Sequence, residues 1–125
     1  MTTTPQVVLD LAPGAVLARA ADIIKANGIA RNDYYHPDTD DPRACPVCVL
    51  GAIAVACGFH PDAWNHDNAD LPFNPAYAAA DALIDYLGLD PGPAYDETVG
   101  SWSDDNDLVR VVAELRAAAR EAASA

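Results

Sequence analysis

Apolar side chains recur at helical spacing in four stretches of this chain, and the segments between them are polar and broken by Pro and Gly. Between Pro13 and Asn27, the residues Val16, Leu17, Ala20, Ile23 and Ile24 fall at three- and four-residue steps, on one face of a helix. Gly28 closes it, because glycine readily takes the left-handed conformation that ends helices. From Pro46 to Cys57 almost every residue is apolar, with Val47, Leu50, Ile53, Ala54 and Cys57 as the inner stripe and Gly58 as the stop. Pro46 suits the first helical position, where its missing N–H costs nothing. A segment this apolar predicts the central, most buried helix. Asn74-Pro75 reads as a cap and first-turn proline, after which Tyr77, Ala80, Leu83, Ile84 and Leu87 point inward as far as Gly88. A Pro/Gly-rich connection over 88–100 leads to the last helix, capped by Ser103 or an acid after it, with Leu108, Val111, Val112, Leu115 and Ala119 as its buried face.

The remaining segments read as follows. Residues 1–12 form an extended arm whose Val7, Val8, Leu9 and Leu11 can lie across the core. The loop over 29–44 has Tyr34-Tyr35-His36 as its packing cluster, and the loop over 59–74 carries Trp64 and Phe73. Residues 120–125 are expected to fray. The pattern therefore predicts an all-α fold, one compact domain over 1–125 with about four helices and irregular loops. At 125 residues the chain can bury roughly two thirds of its unfolded surface.

Charge sharpens this picture. Nineteen acids face seven Lys and Arg, for a net charge of −12. Eleven of those acids lie between Asp62 and Asp107, a stretch without a single Lys or Arg. Such a surface repels a phosphate backbone, so direct nucleic-acid binding is not expected. It suits a basic protein surface instead, with Asp96, Glu97, Asp104, Asp105 and the neighbouring Trp102 as contact residues. Trp102 is equally placed to anchor the start of the last helix in the core. No run approaches the roughly 18 apolar residues of a membrane span. Met1-Thr2-Thr3-Thr4-Pro5 lacks the basic start of a secretory signal, so the expected location is cytoplasmic.

Cys45-Pro46-Val47-Cys48 is the sharpest local motif, and its chemistry has three readings. Cys45 and Cys48, joined by Cys57 and His60, or by His36 together with His60 or His66, have the ligand types of a zinc site. If 46–57 is one helix, however, Cys48 and Cys57 stand about 13 Å apart along its axis, too far for one ion. A Cys-x-x-Cys redox pair needs a strand before it, and none is visible here. A Cys48 nucleophile would need His36, His60 or His66 as its base, and a cysteine plus a loop histidine is a common coincidence. The structural alternative places Cys48 and Cys57 as small apolar core residues and Cys45 at the helix start. No cofactor is expected on that reading, with zinc as the exception to test. The Asp-rich clusters at 38–41, 67–70 and 104–107 lack the glycine and terminal glutamate of a calcium loop.

Two stretches, Cys48 to Ile53 and Val99 to Asp104, resemble segments of a small uncharacterised family found in actinobacteria and their phages. Cys48-Val49-Leu50-Gly51-Ala52-Ile53 is similar to that family's Cys-x-x-Gly-Ala helix. Val99-Gly100-Ser101-Trp102-Ser103-Asp104, followed by Leu108 to Ala118, is similar to its Trp-Asn-Asp motif before a C-terminal helix, with Ser103 in place of Asn. The resemblance implies source and a helical fold, and that family has no assigned activity. Two functions are then expected. The first is a non-enzymatic accessory protein of phage or mobile-element type that binds another protein, including one that mimics the charge of DNA. The second is a small cysteine-dependent or zinc-stabilised protein built on Cys45, Cys48 and a loop histidine.

Overall fold

The computed structural model describes residues 10–65, 74–90 and 94–124. It is all-α, with helices α1 (Pro13–Asn27), α2 (Val49–Ala56), α3 (Asn74–Leu87), α4 (Ser101–Asp105) and α5 (Leu108–Ser124). There are five helices among the described residues, one more than the apolar pattern predicts. The extra one, α4, follows the expected connection, whose last residues form a π-helical turn, Asp96–Gly100, that runs directly into it. Val99 is fully buried there, so this segment belongs to the core and does not merely link two helices. Ser103 accordingly lies inside α4 and does not cap the last helix. Asp107 does so, its Oδ1 accepting the Arg110 N–H at 2.8 Å.

Helix α1 forms on the expected face, with Val16, Leu17, Ala20, Ala21 and Ile24 buried. It packs chiefly along α5 and then on α2 and α3. The α1–α5 approach is close enough to exclude a side chain at Gly14, where a Cβ would lie 2.9 Å from the Ala119 carbonyl oxygen. Helix α5 contributes Val111, Leu115, Ala118 and Ala119 and stays helical through Ser124, whose hydroxyl donates to the Arg120 carbonyl. Of the expected N-terminal arm, residues 1–9 lie outside the described residues. Leu11 is exposed, so it does not lie across the core.

Helix α2 is central and almost wholly buried, as its composition demands, but it begins at Val49, three residues after Pro46. The reason lies in competing backbone hydrogen bonds. Residues 46–48 are extended and paired with the loop over 28–36. The Val47 N–H donates to Gly28 O and the Val47 carbonyl accepts from Ala30, while Pro46 O accepts from His36 and the Cys48 N–H donates to Tyr34 O. A backbone committed to those partners cannot also start a helix. Cys45 is likewise not a helix-start residue; it ends the short 3₁₀ turn Pro42–Ala44. The pairing leaves only isolated bridges from Val47 to Ile29 and Tyr35, and no strand forms among the described residues.

Helix α3 buries Ala76, Ala79, Ala80, Leu83 and Ile84. Small residues at the first three positions let it approach α1 and α2 closely, which turns Tyr77 outward, against the expectation from spacing. Tyr77 stacks on Tyr95 and meets Trp64 edge-on, and the Trp64 indole N–H donates to the Leu50 carbonyl at 2.7 Å.

Candidate functional site

The N-terminus of α2, the loop 31–36 and the π turn enclose a recess of about 410 Å³. Its floor is Cys48, Leu50 and Gly100, and its walls are Asn32, Asp33, Tyr34, Asp96 and Asp104. None of the described residues that line it is basic.

Cys48 is the N-cap of α2. Its Sγ accepts the Gly51 N–H at 3.4 Å, a bond normally made by a hydroxyl or carboxylate oxygen. Gly51 is required beside it, because a Cβ there would lie 2.2 Å from the Tyr34 carbonyl oxygen. The next free N–H of the helix, that of Val49, donates to Ser103 Oγ at 3.2 Å. Ser103 is the one polar side chain fully buried among the described residues. Ser103 thus has a polar role as the acceptor for the start of α2. Two further bonds tie loop to helix. Arg31 donates to the Ser103 carbonyl, and Asp104 Oδ1 accepts the Asn32 N–H at 2.9 Å. Asn32 adopts φ = 61°, a left-handed conformation that asparagine tolerates better than most residues.

Tyr34 donates its hydroxyl to Asp96 Oδ1 at 2.5 Å across the recess. Burial, reinforced by that hydrogen bond to a carboxylate, holds the phenol above its ordinary range. Burial also pushes the Cys48 thiol up to about 11, with the charges of Asp104 and Asp96 adding to it against the lowering effect of the Gly51 and Leu50 N–H groups. Cys48 is therefore a neutral thiol near neutrality, the opposite of an activated nucleophile. Of the three histidines proposed as its base, His36 and His60 do not line the recess: His36 Nε2 lies 3.3 Å from Arg31 O, and His60 Nδ1 lies 2.6 Å from Asp62 Oδ1 with its ring edge-on to Tyr35. Cys57 caps the far end of α2, where burial raises its thiol to about 11 against the opposing charge of Arg19. Cys45 Sγ sits among the loop oxygens of Thr39 and Asp41, and His66 lies outside the described residues. Among the described residues, no three His, Cys, Asp or Glu side chains gather as a metal-holding group, so Cys45, Cys48, Cys57 and His60 are not brought together.

Of the acids singled out in the sequence, Asp96 and Asp104 meet at the recess, while Glu97 and Asp105 are exposed on the same segment. Trp102 is half-buried against the core. Asn32, Asp33 and Tyr34 complete the site from a loop in which the sequence pointed to Tyr34 only as a packing residue and did not single out Asn32 or Asp33. The signal for them was Gly51, since a glycine within an apolar helix marks a close backbone approach.

Fold and site together define a small all-helical protein with a carboxylate-walled recess over the N-terminus of a buried helix. The chain belongs to a family of unknown function, DUF6197, which matches residues 9–121. No curated protein and no solved structure matches the chain. Among the described residues, no helix is long and apolar enough to cross a membrane.

Proposed function

We propose that this is a non-enzymatic binding protein whose acidic face takes up a basic protein surface. The observation that carries the reading is the convergence of Asp33, Asp96 and Asp104 on one recess without a basic residue in its described lining, in a chain of net charge −12. Glu97 and Asp105 add two exposed carboxylates on the same segment of chain. Such a face steers a cationic partner to it and repels a phosphate backbone. An accessory protein of a phage or mobile element, acting on a basic host protein, is the setting this chemistry fits.

The test compares three proteins for association with an oligoarginine peptide across ionic strength. The parent should bind at low salt and weaken steeply once the Debye length falls below about 10 Å. Neutralising Asp96, Glu97, Asp104 and Asp105 to Asn or Gln should slow association strongly. Neutralising the exposed Asp38, Asp40, Asp85 and Asp90, an equal charge change elsewhere, should slow it much less. Equal effects from the two variants, or preferred binding of duplex DNA, would overturn the reading.

A further inference from the structure

We propose that the helical segment 95–105 is a two-register switch. In the observed register the π turn Asp96–Gly100 presents Asp96 to Tyr34 and stacks Tyr95 on Tyr77. In the second, an α-helical one, Glu97 takes the place of Asp96 and Tyr95 withdraws. The switch goes beyond the binding reading and needs no partner.

Tyr95, Gly100 and Ser101 all have right-handed helical angles, so the π turn and α4 are one continuous helix with a single widened turn. The Ser101 N–H donates to Asp96 O, five residues back, and to Thr98 O, three back, straddling the four-residue α spacing. A π turn takes one residue more than an α turn, which sets back everything before it by about 100°, the rotation of one residue. The consequence is visible at the recess. Eight residues of regular α-helix would leave Asp96 and Asp104 about 80° apart, and the extra residue brings them to within about 20°. Both accordingly reach one loop, Asp96 Oδ1 accepting the Tyr34 hydroxyl at 2.5 Å and Asp104 Oδ1 the Asn32 N–H at 2.9 Å.

Helix α4 is the fixed half. Ser103 Oγ accepts the Val49 N–H, its carbonyl accepts Arg31, and Asp104 accepts Asn32. Relaxing the π turn to α spacing therefore rotates the half before it. The rotation is spread along the turn, about 25° at Val99 and about 100° at Asp96. Val99, fully buried, keeps its seat. Glu97 arrives where Asp96 was, so the Tyr34 hydroxyl meets a carboxylate in either register. Asp96 arrives where Tyr95 was. Tyr95 then gives up its stack on Tyr77 at 5.5 Å, its contact with Trp64 at 5.3 Å and its bond to Asp81 Oδ1. Those losses, and a carboxylate brought towards Asp81, make the π register the major one. Gly100 stands at the junction of the two halves. Its φ is −61° and a Cβ there would meet nothing closer than Leu50 Cδ1 at 3.9 Å, so neither backbone angle nor space calls for glycine. Glycine weakens the helix at the point where its register has to change.

The experiment is relaxation-dispersion and saturation-transfer NMR on the isotope-labelled full chain. A minor state of about 1–10% should appear at the amides of Tyr95 to Ser101 on the microsecond-to-millisecond timescale, and not at Leu115 or Ala118. Deleting Thr98 removes the extra residue. A plain α-helix then keeps Asp96 on Tyr34 and Tyr95 on Trp64, and the exchange should vanish. Asp96→Ala removes the carboxylate that serves the π register, so the ratio of minor to major register should rise about tenfold, with amide shifts moving towards those of the parent's minor state. Glu97→Ala should lower the ratio by a similar factor. The proposal is overturned if the parent shows no exchange at Tyr95 to Ser101, if exchange persists in a folded Thr98 deletion, or if Asp96→Ala leaves the ratio unchanged. Should the deletion not fold, the two alanine variants decide it.

Discussion

The carbonyl oxygen of Tyr34 occupies the space that a side chain on residue 51 would need, 2.2 Å from the ideal Cβ position of Gly51. The same oxygen accepts the Cys48 N–H, so loop and helix start are joined at one atom. Gly51→Ala must push the loop off the helix. It should cost about 3 kcal/mol, at the upper end for overpacked sites because the obstacle is backbone. Chemical denaturation of the variant checks this, and a cost under about 1 kcal/mol would show that the loop yields freely.

Ser103 fixes the other end of this contact. Ser103→Ala leaves the Val49 N–H buried with no acceptor and should destabilise the protein by about 1–3 kcal/mol. Hydrogen exchange at Val49 should rise in step with it.

The alkaline limb of stability should report the cysteine cap. The folded state holds Cys48 near 11, above its ordinary 9.0, so in that window the unfolded chain has lost a proton that the folded chain keeps. Stability is then full below about pH 9 and falls as pH rises towards 11, by about 2–3 kcal/mol from this group. Tyr34, also raised, extends the fall to higher pH. Cys48→Ser keeps an acceptor for the Gly51 N–H but does not titrate, and should flatten the decline. Denaturant melts below and within the window measure it; identical slopes in parent and variant would refute the assignment.

Trp102 is half-buried rather than enclosed. Trp102→Ala should therefore cost about 2 kcal/mol, less than the roughly 3–5 kcal/mol of a fully buried aromatic. A thermal melt indistinguishable from the parent's would assign the ring to contact with a partner instead.

Much of the fold was legible because helical periodicity reports burial directly. Val16 to Ile24 and Val111 to Ala119 needed nothing else. The start of α2 was not, because Pro46-Val47-Cys48 is buried and apolar in either conformation. Only its pairing with residues 28–36 makes it extended, and apolar content does not distinguish the two. A thiol as helix cap was equally hidden, since cysteine is not among the usual capping residues. Tyr77 misled because Ala76, Ala79 and Ala80 set the phase of α3 by being small. At the site, Asp96 and Asp104 stood out by charge, whereas Asp33 and Tyr34 reach them only through tertiary contact.

The bonds from Arg31 to Ser103 and from Asn32 to Asp104 each span 72 positions of chain. Closing so long a loop costs entropy before any contact repays it. The α1–α5 contact spans still more chain but buries apolar core that repays the cost. These two bonds bury little, so they should form after the folding transition state, once α1, α2 and α5 are in place. Loss of either one should speed unfolding while leaving the folding rate nearly unchanged. The walls of the recess would then be assembled last and released first, so a partner bound there would act chiefly as a brake on unfolding.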